Sequence, residues 1–467
     1  MDDNDAPPGA TKPFNLAIVG GGITGLTLAI ALLEHGVPIT VYESAARFGE
    51  IGAGVGFGPN AVRAMRLVSP RVQEAYERCR TRQWESKQSV WFGARVGDRR
   101  KAAAAAAAAG EEGSDSTFTH AGRPGRAVGD QLFEVHYPDL EGLGGVGGVH
   151  RAHFLDQLVA LVPPGVARFG KRLVDLAAAP DGSGDALLRF ADGSTARHTA
   201  VLGCDGIKSQ TRRLLLGGDQ WNAVFSGKCA YRGLIPMTKA VELLGEEEAM
   251  NSQIYFGYHG HILTFPIEKG KTMNVVAFAS RESWTASEWV VHVSKEELMA
   301  DFQTWGPTAT AIVSAMERTD VWALFDHPAA PTYYEAGAEA GGSPGGSPGR
   351  PRVCLVGDAA HATTPHQGSG AGMGIEDCYV LGNLIGDAAS VADLGRAFRA
   401  YDAVRRPRTQ RIVATSREAG RLWDFELEGC GDDLDALQRN METRMHWIWN
   451  EDLPAELESA RAIFRQG

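Results

Sequence analysis

Residues 16–25 read LAIVGGGITG, and this short stretch constrains the fold more than any other part of the chain. Four apolar residues, Leu16–Val19, suit a buried strand, and Gly20, Gly22 and Gly25 follow at G-x-G-x-x-G spacing. Ile23–His35 then places Ile23, Leu26, Ile30 and Leu33 at helical spacing. Pro38–Tyr42 reads as a second buried strand, with Glu43 directly after it. Strand, glycine turn, helix, strand and acid in that order describe half of a dinucleotide-binding sheet. Each part has a mechanical reason. Gly20 permits the tight turn, and Gly25 lets helix and strand pack closely. Gly22 leaves room for a pyrophosphate at the helix N-terminus, where N–H groups and the dipole favour negative charge. Glu43 can accept two hydrogen bonds from a ribose diol.

Glycine clusters more often mark plain turns, and the chain carries its own control. GLGGVG at Gly142–Gly147 has the same spacing, but DLE precedes it and no apolar strand leads in, so it reads as a turn. Two other strand ends carry an acid: VLGCDGIKS (201–209) with Asp205, and VCLVGDAAH (353–361) with Asp358. Such an aspartate either hydrogen-bonds a sugar-alcohol hydroxyl or caps the next helix. Residues 368–374 after the second strand can open a helix toward a flavin ring.

The chain's 467 residues exceed what one simple core supports, which predicts two or three domains. Ser252–Ser280 is rich in aromatic and β-branched residues broken by glycine-containing turns, the pattern of antiparallel sheet. From about Asp377 onward the sequence is mostly helical in character. The expected class is therefore α/β plus α+β. Two segments read as loop insertions: 101–144, which opens with the alanines Ala102–Ala109 and GEEGSDS, and the Gly/Ser/Pro-rich 336–350.

The 57 acidic against 46 basic residues give −11, a field that disfavours nucleic acid and anionic lipid. A small anionic substrate stays compatible, because one local arginine outweighs distant charge. The start, MDDNDAPPGATKPF, lacks the basic and apolar blocks of a secretion signal, and no apolar run reaches the ~18 residues of a membrane span. The six cysteines are scattered without a CxxC, which suits reduced, buried thiols. A cytoplasmic protein without a metal site is expected, as a monomer or homodimer.

The order G-x-G-x-x-G, then Asp205-Gly206, then Gly357-Asp358 resembles that of class A flavoprotein monooxygenases. Within that class the chain is similar to salicylate hydroxylases over FGEIGAGVGFGPNAVRAM (48–65), VHRAHFLDQLV (149–159), FSGKCAYRGL (225–234), GHILTFPI (260–267), GDAAHATTPHQGSGAG (357–372) and MHWIWNEDL (445–453). The resemblance implies a Rossmann-like FAD domain interleaved with a sheet-floored substrate domain, ending in helices. The corresponding partition is 1–100, 145–215 and 350–400 for FAD, 216–335 for substrate, and 401–467 for C-terminal helices. It also implies that Glu43 holds the adenosine ribose, that Arg151 lies near the FAD phosphate and ribitol, and that Asp358 contacts the flavin's sugar chain. Gly56 and Ala371 would lie along the cofactor.

Two residues carry the expected chemistry. Arg232, in CAYRGL, offers a guanidinium for a carboxylate or phenolate, and His366, in TPHQG, an imidazole to bind or deprotonate a phenol. Their bland alternatives are an arginine tied to a carbonyl and a histidine packed under a loop; His361 reads as structural. The resemblance implies that NADH or NADPH reduces FAD, that O2 is the oxidant, and that an electron-rich ring is hydroxylated, salicylate giving catechol and CO2. Competing readings are a phenol hydroxylase or dearomatase acting on a polyketide, and a flavin-binding module without turnover. Two positions depart from family patterns. Phe325 stands where some salicylate hydroxylases have histidine, with His327 following, and Phe265 stands where fungal dearomatases have tyrosine.

Overall fold

The computed structural model describes residues 12–49, 54–109, 117–138, 140–143, 145–337 and 349–466. Among them the glycine motif sits where its pattern demands. Strand Leu16–Val19, helix Ile23–Glu34 and strand Ile39–Tyr42 are consecutive, and the two strands pair in parallel. The described sheet around them runs Tyr334–Glu335, Val353–Leu355, Ala200–Gly203, Leu16–Val19, Ile39–Tyr42, Ala167–Arg168. Every pairing in it is parallel except that of Tyr334–Glu335. All four residues of Leu16–Val19 are buried, as expected of a strand covered on both faces. This is a Rossmann-type nucleotide-binding unit. The three acid- or glycine-bearing strand ends, at Val19, Gly203 and Leu355, are neighbours along one edge.

The second large sheet supplies the floor of the other unit. In described residues its order is Val290–His292, Asp320–Asp326, Val224–Pro236, Thr272–Ser280, Gly260–Ile267, Gln253–Gly257, Val90–Val96, Gln131–His136. The antiparallel reading of Ser252–Ser280 is what forms, as three strands turned at Tyr258–His259 and at Glu268–Gly270. The C-terminal region is helical, led by Gly370–Asp387 and the 33-residue Val391–Trp423.

The segment 101–144 corrects the loop reading. It contains helix residues of Arg100–Ala109, a hairpin of Thr117–His120 with Arg123–Ala127, and strand Gln131–His136, which extends the large sheet. The alternation of Phe133 and Val135 toward a core with Trp91 and Phe92 explains the strand. Ala102 is fully buried, so the alanine helix does find a packing surface. Val90–Val96 likewise belongs to the large sheet rather than to the nucleotide unit. The boundary at 400/401 falls inside the helix Val391–Trp423. Most of 336–350 lies outside the described residues. GLGGVG leads into strand Gly147–His150, which pairs antiparallel with Gly54–Phe57 and opens no parallel crossover. Among the described residues, no helix is long and apolar enough to cross a membrane.

Candidate active site

The first strand end opens on a crevice of about 430 Å³. Gly20 has φ +105°, and a Cβ there would fall 2.3 Å from the carbonyl oxygen of Cys204. A Cβ on Gly25 would meet the carbonyl oxygen of Gly20 at 2.0 Å, so helix and turn touch backbone to backbone. Gly22 precedes the helix with extended backbone and lines the crevice. Glu43 faces the turn: its carboxylate accepts the N–H groups of Gly21 at 2.8 Å and Ala45 at 2.7 Å. Arg151, Lys171, Arg172 and Lys208 also line the crevice, a basic surround for a phosphorylated ligand. A glycine cradle without side chains, a helix N-terminus and this cationic rim fit a dinucleotide.

Asp205 lines the same crevice, but its carboxylate is occupied. It accepts Ser209 Oγ at 2.5 Å, Thr211 N at 2.9 Å and Thr211 Oγ1 at 3.1 Å. Burial pushes its pKa up against those hydrogen bonds. Ser209 caps Gln210–Leu216 by accepting Arg212 N, and Asp205 braces that cap while lining the crevice.

A second cavity, of about 280 Å³, lies between the large sheet and the segment 358–371. Gly56, Arg151, Arg232, Asp358, His366 and Ala371 all line it, and Arg151 borders both cavities. Asp358 is exposed, although Gly357 and Ala359 on either side are buried. The turn beneath it is tightly held. Gly357 has φ +62°, with Thr24 Oγ1 2.6 Å from where a Cβ would stand. Its N–H donates to Asp377 at 3.0 Å, and His361 Nε2 meets the same oxygen at 2.6 Å, which makes His361 structural. Arg212, almost fully buried, donates to the carbonyls of Ala359, Ala360, Pro328 and Trp221. Sequence reading missed Arg212, because nothing nearby in sequence announces those partners.

Arg232 projects from the strand Val224–Pro236, partly buried. Its guanidinium lies 4.8 Å from the ring centre of Trp322, and its Nε has no hydrogen-bond partner. Burial first, and the like charge of Arg151 second, push its pKa down to about 10, so it stays cationic at neutral pH. His366 is buried, with no partner for either ring nitrogen. Burial, with His261 next, drives its pKa well below the usual imidazole range. A Cβ on Gly420 would sit 2.8 Å from His366 Nε2, so this edge of the ring faces the long helix.

Several cavity residues escaped the sequence reading. Asn274 accepts Gly54 N at 3.1 Å through Oδ1 while its Nδ2 is buried without a partner. Thr363 Oγ1 and Gln367 Nε2 are likewise buried and unpartnered. Phe265 packs between Gly54 and Gly148, where Cβ atoms would meet its ring at 2.7 and 3.1 Å. Phe325 stacks on Trp289 with ring centres 3.9 Å apart, and His327 Nε2 lies 3.0 Å from the carbonyl of Ile207. Neither lines the second cavity.

Residues 18–53 match the family described as an NAD(P)-binding Rossmann-like domain, and 348–416 match an FAD binding domain. The chain is 39% identical to the FAD-dependent monooxygenase orf3 of Aspergillus niger over 97% of its length and 98% of the relative's. It is 37% identical to a salicylate hydroxylase of Pseudomonas putida over 96% of its length and 95% of that protein. A solved salicylate hydroxylase substrate complex superposes with a TM-score of 0.77 at 32% identity, covering 96% of this chain and 98% of that one. With a dinucleotide crevice, a cavity joined to it at Arg151 and near-full-length identity of this order, the chain belongs to the salicylate hydroxylase family of FAD-dependent aromatic monooxygenases, which use NAD(P)H as co-substrate.

Proposed function

We propose that this enzyme hydroxylates a phenolic acid, and that its reaction is the decarboxylative hydroxylation of salicylate to catechol. The observation that carries this reading is Arg232, a cation whose Nε is buried without a partner on the wall of an otherwise largely apolar cavity. A carboxylate or phenolate supplies what that guanidinium lacks. Glu43, Arg151 and Asp358 would hold FAD, with the pyrophosphate at Gly20–Gly22. FAD held there would supply the redox chemistry, taking electrons from NAD(P)H and one oxygen atom from O2, the other leaving as water. The chain's own residues orient and ionise the ring. Arg232, with Arg151 adding positive potential, lowers the energy of the phenolate. His366, neutral at physiological pH, can accept the phenolic proton. Phe265, without a hydroxyl, supports ring hydroxylation over dearomatisation.

The test is product analysis on purified, flavin-loaded protein with NADH and salicylate. Catechol and CO2 in equal amounts are expected; a ring-oxidised quinol, or NADH consumption without hydroxylated product, would overturn the reading. Arg232→Ala is expected to raise the KM for salicylate roughly 10- to 100-fold, the worth of one charged hydrogen bond, with flavin content unchanged. Unaltered kinetics would return Arg232 to a structural part. His366→Ala is expected to slow turnover or divert reducing equivalents to peroxide; wild-type rate and coupling would count against it as the proton acceptor.

A further inference from the structure

Behind the second cavity lies a line of buried ionisable side chains that hydroxylation as described leaves unused. His366 borders the cavity, and the ring centre of His261 is 5.4 Å from its own. His261, on Gly260–Ile267, is fully buried and stacks on Phe278 at 4.1 Å. Its Nδ1 lies 2.7 Å from Oδ1 of Asp424, the fully buried residue that ends the helix Val391–Trp423. Lys228 Nζ donates to the other oxygen of Asp424, to Glu426 and to Ser280 Oγ. Glu426 Oε1 is 2.8 Å from Nδ1 of His259, whose side chain is 68% exposed. One ring contact and a series of hydrogen bonds therefore lead from the cavity wall to solvent.

The charge states suit passage of a proton. Burial pushes Asp424 up, but His261 and Lys228 outweigh it and hold the carboxyl below its usual range. Burial lowers His261 despite Asp424. An ionised Asp424 beside a neutral His261 places the ring proton on Nδ1, and Nε2 then carries a lone pair that is buried without a partner. His366 is neutral too, with both nitrogens unpartnered, and the charged groups acting on it are Asp424, Lys228 and Arg444. Lys228 and Glu426 also face His261. Phe278 and Trp423 pack closely here, so the polar line crosses a hydrophobic wall that aliphatic side chains would fill at less desolvation cost.

We propose that His261, oriented by Asp424, is a proton-relay residue that carries the phenolic proton from His366 to solvent at His259. The proposal rests on the reading above in taking a phenol as the cavity's ligand. The phenol O–H bond breaks, and its proton goes to one ring nitrogen of His366; the two rings, in contact at rest but not hydrogen-bonded, close so that the other nitrogen releases a proton to His261 Nε2. His261 passes its Nδ1 proton to Asp424. Lys228 gives a proton to Glu426 and regains one from Asp424, and Glu426 releases it to His259 or water. No electron pair leaves the chain, and each side chain returns to its starting charge once the ring tautomers reset.

The experiment uses flavin-loaded protein with 4-nitrophenol, whose ionisation is read as visible absorbance after a rapid upward pH jump. In His261→Phe the bound phenolate is expected to appear at least about tenfold more slowly than in wild type. The dissociation constant of the nitrophenol and the flavin content are expected to stay unchanged, which a merely structural part for His261 would not produce. Glu426→Gln, at the partly exposed exit, is expected to slow the same step and serves if His261→Phe does not fold. Unaltered ionisation rates in these variants, with nitrophenol bound, would overturn the relay alone. A wild-type enzyme that binds no nitrophenol would bring down the phenol cavity and the relay together.

Discussion

A Gly22→Val chain is expected to purify colourless while keeping its far-UV spectrum. Gly22 sits in extended backbone at φ −77°, which valine adopts readily, so the backbone itself is not strained. The damage is local. The branched side chain would stand in front of the first turn of Ile23–Glu34, where on the proposed reading a pyrophosphate would reach the N–H groups. Losing two charge-assisted hydrogen bonds at about 1.5–3 kcal/mol each lowers flavin affinity by at least about a hundredfold. The flavin-to-protein absorbance ratio measures it, and a normal ratio would remove the glycine turn from the cofactor site. Gly25→Ala provides the contrast. Its Cβ would meet backbone at 2.0 Å, so helix and turn must separate, at about 1–3 kcal/mol and a lower Tm besides the loss of flavin.

Arg405→Met is expected to cost about 3–5 kcal/mol of stability, read as a large fall in the chemical-denaturation midpoint. Arg405 is fully buried in the long helix and pairs with Glu376, Asp377 and Glu456. Removing it strands buried carboxylates rather than merely deleting a contact. Asp377 also receives the Gly357 N–H, so the turn that presents Asp358 should loosen and flavin affinity should fall with stability. The pH dependence has a definite sign. Burial pushes Asp377 and Glu376 up, but His361 and Arg405 for the first, and Arg408 and Arg405 for the second, hold both below their ordinary values. Their stabilisation is therefore complete above the unfolded carboxylate range, about pH 4, and drains away as pH falls through and below it. Glu456 runs the other way, since burial there outweighs Arg405 and raises its pKa. Wild type should lose stability on acidification below about pH 4, and Arg405→Met should lose less over the same interval. An equal slope in the two proteins would exclude this network as the origin.

The nucleotide unit was legible because its determinants are contiguous: ten residues carry strand, turn and helix, and Glu43 follows a second apolar run. Arg232 and His366 were legible through the motif around each, and both line one cavity. What escaped depends on contacts made at long range. Arg212 finds its carbonyl partners more than a hundred residues away at Pro328, Ala359 and Ala360. Asn274 meets Gly54, and His261 meets Asp424, across similar separations. Asp205 shows why such acids are ambiguous in sequence: it lines the crevice, yet its carboxylate also holds the first turn of the next helix. The alanine run hid a real element for a different reason. A strand of six residues, Gln131–His136, followed a low-complexity stretch, and the composition of that stretch masked the apolar alternation beyond it.

Arg151 borders both cavities, and with the cofactor and an acid bound as proposed, that shared wall would make the two ligands thermodynamically interdependent. An anionic phosphate on one side neutralises a charge that the other side would otherwise feel. On the proposed reading, cofactor loading would tune how strongly an acid is held against Arg232, and by reciprocity an acid in place would alter the grip on the cofactor to the same degree. Titrating either ligand with the other present or absent would read out a single number, the free energy by which each compartment senses its neighbour.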